Sequence, residues 1–168
     1  MTISINYKKK PSKKNLSNHV FFVDEKFNIL GLKKYVLASE YSFISDLLKT
    51  NDLKKKILTF HLNSKKKIIL VSLKKNIESF DVENLGGNFY DLFKDLNQYE
   101  YIINSDTLTN FSKKILGYFL HGIKLKSYKF EKYKTKKNKN KISIVVIGKN
   151  IPNIKNQLKF NAIEEGTF

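Results

Sequence analysis

Short β-branched runs alternate with stretches whose apolar residues recur every three or four positions, and that alternation constrains this chain more than any other feature. Val20 to Val23, Ile68 to Val71 and Ile144 to Ile147 are continuous apolar runs, the pattern of strands buried on both faces. Val82 to Leu96 instead carries Leu85, Phe89, Leu92, Phe93 and Leu96 on one helical face. Thr107 to His121 does the same with Leu108, Phe111, Ile115, Phe119 and then Gly122, behind Ser105 and Asp106 at the N-cap. Further strands are expected at Thr2 to Tyr7, His19 to Val23, Lys56 to Leu62, Lys67 to Leu73, Glu100 to Ile103 and Ile142 to Ile147. Helical turns are expected between Leu32 and Leu48 and a terminal helix from Ile154, while Asn63-Ser64 suits a hairpin turn. The order predicts an α/β domain, a mixed β-sheet with helices on both faces. With 168 residues the chain is long enough for one self-sufficient core.

One segment stands out within that frame. Gly122 to Lys137 reads GIKLKSYKFEKYKTKK, interleaving aromatic and basic residues between the Thr107 helix and the Ile142 strand. Tyr128, Phe130 and Tyr133 could stack bases between lysines, or could pin an irregular polar connection against the core beneath it. An irregular connection over a core needs such anchors, which favours the second reading.

In order and composition this segment resembles the N-terminal domain of the leucyl aminopeptidase family of metallopeptidases, with Gly122, Leu125, Ser127, Tyr128, Phe130, Tyr133, Lys134, Lys136 and Lys137 matching that family's pattern. Ala162-Ile-Glu-Glu-Gly166 is similar to the helix that leads into the family's catalytic domain. Lys67 to Lys74, KIILVSLK, resembles the family's strand ending in a Val-Gly-Leu-Gly turn and is followed by Asn84-Leu-Gly-Gly87, but Ser72 and Lys74 replace both turn glycines. Met1 to Leu62 matches in pattern only. The resemblance implies a macro-domain-like fold, with residues 1–150 as the N-terminal domain and 151–168 as the start of an interdomain helix cut before the catalytic domain. It also implies a cytoplasmic, hexameric enzyme that removes N-terminal amino acids from peptides. Two divalent metal ions, zinc or manganese, would then sit in the absent C-terminal catalytic domain, this chain's partner, and none in this chain.

The residues themselves offer no catalytic constellation. His19, His61 and His121 are isolated, with no His-Glu-x-x-His pair. Glu164 and Glu165 are neighbours and diverge on a helix. Gly86-Gly87 lies inside an amphipathic pattern, where close packing of a helix on the sheet explains it without a phosphate loop, and Gly148 reads as a turn glycine. No serine stands in a Gly-x-Ser-x-Gly elbow. No catalytic, cofactor-binding or metal-binding residue is assigned, and the chain alone is expected to be inactive.

Charge supports an alternative. There are 32 basic residues against 15 acidic ones, a net charge of +17, and all 32 are lysine. Lys8 to Lys14 and Lys132 to Lys141 would give weak, salt-sensitive, nonspecific nucleic-acid binding, though without arginine forks specific base reading is not expected. Joint enrichment of lysine, asparagine and isoleucine also fits plain compositional drift. A third class is a macro-type module binding a nucleotide or ADP-ribose derivative, which would need a glycine-rich loop after a strand. Cysteine is absent, excluding disulfides and thiolate metal sites and suiting a reducing cytoplasm. The apolar runs are too short to span a bilayer, so no membrane partner is expected.

Overall fold

A computed structural model describes residues 3–9, 18–94, 96, 100–132 and 142–167, without the side chains of 129–132, 164 and 167. Six strands, β1 (Ile3–Lys8), β2 (Asn18–Asp24), β3 (Ile57–His61), β4 (Lys67–Leu73), β5 (Glu100–Asn104) and β6 (Ile142–Ile147), form one sheet of order β1-β6-β5-β2-β4-β3. All pairings are parallel except that of β3 with β4, the expected hairpin. The continuous runs of β2, β4 and β6 form its interior, as burial on both faces requires.

Helices cover the two faces. Helix α1 (Ala38–Leu48) and a preceding 3-10 turn at Leu30–Lys34 lie over β2, β3 and β4, enclosing Phe21, Leu32, Ile44, Phe60, Ile68 and Leu70. Helices α2 (Ser79–Phe93) and α3 (Ile115–Lys132) cover the opposite face, and α4 (Ile154–Thr167) packs on α3. The larger core under α2 and α3 is aromatic at its centre. Phe89 meets Tyr101 and Phe119 edge-on at 5.6 Å, and Phe119 meets Phe22 at 5.2 Å, geometries that add to what the buried area alone contributes.

Two helix boundaries differ from expectation. The Thr107 helix begins as a 3-10 turn at Ser105–Leu108, and the α-helix starts only at Ile115. Asn104 accepts from the Asp106 amide and the Thr107 hydroxyl donates to the Asn104 carbonyl, local bonds that compete with α-helical ones. A Leu108-Phe111 step of three fits either helix type, so spacing could not separate them. The second difference is that Gly122 to Lys132 is no irregular connection but the continuation of α3. That segment holds no proline, and its four lysines, Leu125 and Glu131 are good helix formers. Tyr133 to Lys141 lies outside the described residues. Leu92, expected on the buried face of α2, is half exposed, while Tyr90 is buried instead.

Gly86 and Gly122 explain how α2 and α3 sit so close. A Cβ at Gly86 would overlap the Phe119 carbonyl of α3, and a Cβ at Gly122 would overlap the Glu83 carbonyl of α2. The glycine pair expected to seat α2 on the sheet therefore seats it on a second helix. Lys126 of α3 adds a 3.0 Å ion pair to Asp91 of α2. The Gly86→Ala and Gly122→Ala variants are each expected to lose about 1–3 kcal/mol of stability in urea unfolding followed by circular dichroism. Gly31→Ala, where a methyl group meets open space, should change it by no more than about 1 kcal/mol.

Candidate functional site

In an open, mostly parallel sheet a ligand binds beyond the carboxyl ends of the strands, at the point where strand order reverses. Here the chain runs outward from β2 to β3 and β4, then returns to β5 and β6, so the reversal falls between β2 and β5. That gap is bridged from within. Thr107 accepts a hydrogen bond from the Phe22 amide at 3.0 Å and donates to the Asn104 carbonyl at 2.7 Å. Asp106 accepts from the Lys149 amide at 2.8 Å, and the Asn150 side chain donates to the Ser105 carbonyl at 3.3 Å. Gly148 has a φ of +105°, and a Cβ there would stand 2.5 Å from the Ser105 hydroxyl and 2.8 Å from the Asp106 carboxylate. It is a turn glycine, as expected, and it lets β6 end tightly against the 3-10 turn.

Beside this bridged section, on the β4–β3 side, the same edge opens into a cavity of about 170 Å³ lined by Glu25, Lys54, Lys55, Lys56, Ser72, Lys74 and Asp81. Ser72 and Lys74 are the residues that replace the glycines of the resembled turn. The turn makes no glycine cradle.

The three histidines lie apart. His121 of α3 is buried and its Nδ1 lies 2.8 Å from Glu83 Oε1 of α2, a partner 38 positions away that local spacing could not reveal. Because a carboxylate only accepts, Nδ1–H donates, and the buried Nε2 has no hydrogen-bond partner among the described residues. His121 also lies 5.4 Å from the Phe160 ring of α4. It ties three helices together. His19 of β2 stacks at 6.0 Å on Phe21, near the 2.6 Å Lys66–Glu40 ion pair. His61 ends β3. Among the described residues no three His, Asp or Glu side chains cluster closely enough to hold a metal ion.

No family model matches the sequence, and no curated protein sequence matches it. Solved structures do resemble it. A mutant leucine aminopeptidase from tomato superposes with a TM-score of 0.60 at 14% identity, over 96% of this chain and 35% of that one. The macrodomain of Thermus aquaticus DarG superposes with a TM-score of 0.55 at 9% identity, over 88% of this chain and 99% of that one. The fold is macro-type. The α/β expectation holds in full, and the aminopeptidase resemblance holds at the level of fold. The chain spans about a third of the aminopeptidase's length. Of the residues that carried the resemblance, Gly122 and Ser127 are buried inside α3, where the Ser127 hydroxyl donates to the Lys124 carbonyl. Leu125 and Tyr128 are half-buried there. The Phe130 side chain and Tyr133, Lys134, Lys136 and Lys137 lie outside the described residues. No helix among the described residues is long and apolar enough to cross a membrane.

Two outcomes test this geometry. Thr107→Val keeps shape but strips the acceptor from the buried Phe22 amide, so stability should fall by about 1–3 kcal/mol and Phe22 should exchange its amide proton faster. Burial first, and the Lys66 ammonium second, hold His19 below the ordinary histidine value of 6.5 against the opposing pull of Glu40. The fold thus favours neutral His19. Its contribution to stability is complete above pH 6.5 and is lost as pH falls through the lowered folded value, which imidazole proton titration and urea midpoints at stepped pH should show.

Proposed function

We propose that this chain is a noncatalytic domain of a leucyl aminopeptidase-type enzyme, supporting assembly and access to an active site carried by another domain. The carrying observation is helix α4. Its Phe160 packs on Gly117, Tyr118 and His121, but Ile154 is 75% exposed, Leu158 61% and Ile163 41%. Ile154 and Leu158, one turn apart, leave exposed apolar surface on one side of α4 that is suited to a second body, while Ile163 lies on another side. The likeness to the aminopeptidase extends over 96% of the chain. The bridged gap between β2 and β5 fits the same role, since a domain that only supports another needs no ligand there.

On this reading residues 1–150 form the accessory domain and 151–168 the helix leading towards a C-terminal catalytic partner. That partner would hold two divalent metal ions and hydrolyse peptides through a metal-activated water, in a cytoplasmic hexamer. One observation favours a second reading, the macro-type small-ligand module: nearly the whole length of a macrodomain is matched. That reading needs a ligand cleft at the gap that Thr107 bridges.

Sequencing past codon 168 and assaying the products separates the two. The expected result is an open frame whose product releases leucine from leucyl-p-nitroanilide with zinc or manganese, while the 168-residue chain is inactive. A stop codon directly after Phe168, with saturable ADP-ribose binding to the isolated chain, would establish the second reading. Leu158→Asp should leave the isolated chain's stability within about 0.5 kcal/mol and weaken assembly of the longer product in size-exclusion chromatography.

A further inference from the structure

The cavity at the end of β4 has no part in either the accessory role or the gap between β2 and β5, and it gathers an unusual set of groups. Lys54, Lys55 and Lys56 come from the α1–β3 connection, Ser72 and Lys74 from the end of β4, and Glu25 from the loop after β2. The fold fixes these walls. The Ser72 amide donates to the Lys56 carbonyl at 2.8 Å, holding the start of β3 to the end of β4. Asp24 Oδ1 accepts from the amides of Lys26 and Asn28 at 3.1 and 2.9 Å, shaping the loop that presents Glu25. Within that loop Phe27 is buried with a φ of +54°, a left-handed conformation that a bulky side chain rarely adopts.

Among the described residues none of these four lysines makes a salt bridge, as is true of Lys113, Lys114 and Lys159 too, but here four of them line one cavity. Four like charges around one concavity repel one another, and only Glu25 and Asp81 offset them from its walls. An anion in the cavity would relieve that repulsion. Ammonium groups act as point charges without a fixed fork, which suits the tetrahedral spread of phosphoryl oxygens, and Ser72 offers a hydroxyl donor. Size narrows the ligand further. About 170 Å³ lies below the ~300–1,000 Å³ usual for drug-sized ligands, so the space suits a phosphoryl group with a small attached moiety. Leu53 and Ile77 supply apolar wall for that moiety.

We propose that this cavity binds a small phosphorylated molecule. The position, on the β4–β3 side of the edge, makes the inference independent of the accessory role.

The test titrates inorganic phosphate into the ¹⁵N-labelled chain at physiological ionic strength, following amide shifts in three proteins: wild type, Lys56→Gln/Lys74→Gln, and Lys113→Gln/Lys114→Gln. The last removes the same charge from the turn before α3, where Lys113 and Lys114 line a separate cavity. The expected result is saturable shifts centred on Lys54 to Lys56 and Ser72 to Ile77. Half-saturation should rise roughly tenfold or more in the Lys56/Lys74 variant and stay unchanged in the Lys113/Lys114 variant. Preserved spectral dispersion would show that both variants fold. Unsaturable shifts spread over the lysines at large, or equal weakening in both variants, would reduce the site to a general counterion field and overturn the proposal. Shifts produced by a DNA duplex but not by phosphate would overturn it in favour of nucleic-acid binding.

Discussion

The backbone-to-backbone contact of α2 with α3 is the constraint on which the rest of the structure depends. Gly86 and Gly122 each lack the one atom that would push the helices apart, and each faces a carbonyl of the other helix. With the helices this close, Phe89 and Phe119 reach past each other to Tyr101 and Phe22 on the sheet. The polar ties follow from the same approach: Glu83 of α2 reaches His121, and Asp91 reaches Lys126. Gly117, on the same helix as Gly122, makes room for Phe160, since a Cβ there would stand 2.5 Å from its ring. The seat of α4 is therefore built on a helix whose own position is set by the glycine contact.

That arrangement divides the carboxyl edge of the sheet into two unlike halves. Over β2, β5 and β6 the chain spends its polar groups on itself, with Thr107, Asp106 and Asn150 each answering a backbone group. Over β4 and β3 the lysines around the cavity keep their ammonium groups out of salt bridges among the described residues. The halves differ because β5 is followed at once by a 3-10 turn that folds back over the strand ends. By contrast β4 is followed by Lys74 to Glu78, a connection that leads away into α2. Among the described residues, the sheet is thus bridged by its own side chains at the reversal of strand order and opens into a cavity beside it.

Most of the fold was legible because burial imposes a period on the sequence. The β-branched Ile142 to Ile147 run reads as a buried strand, and β6 occupies those residues. Legibility failed where two structures share one spacing. The three-residue step from Leu108 to Phe111 fits a 3-10 turn as well as an α-helix, and only the side-chain bonds of Asn104 and Thr107 decide between them. The aromatic and basic alternation after Gly122 looked like an irregular connection because its charge masks good helix propensity. Long-range partners were out of reach altogether. Nothing near His121 announces Glu83, and nothing near Lys74 announces Lys54 to Lys56, because each pairing arises only once strands and helices are placed.

The charge of the chain shows why composition is a poor guide to function and placement a better one. A surplus of +17 spread over a solvated surface costs little, since charges more than about 10 Å apart are largely screened at ordinary ionic strength. The aromatic and β-branched core supplies the stability, so lysines could accumulate outside it without selection for any partner. Screening weakens at short range, so like charges gathered around one concavity feel one another more than charges spread over the surface. A lysine excess therefore carries information only where the fold crowds it, and the cavity between β4 and the α1–β3 connection is such a place.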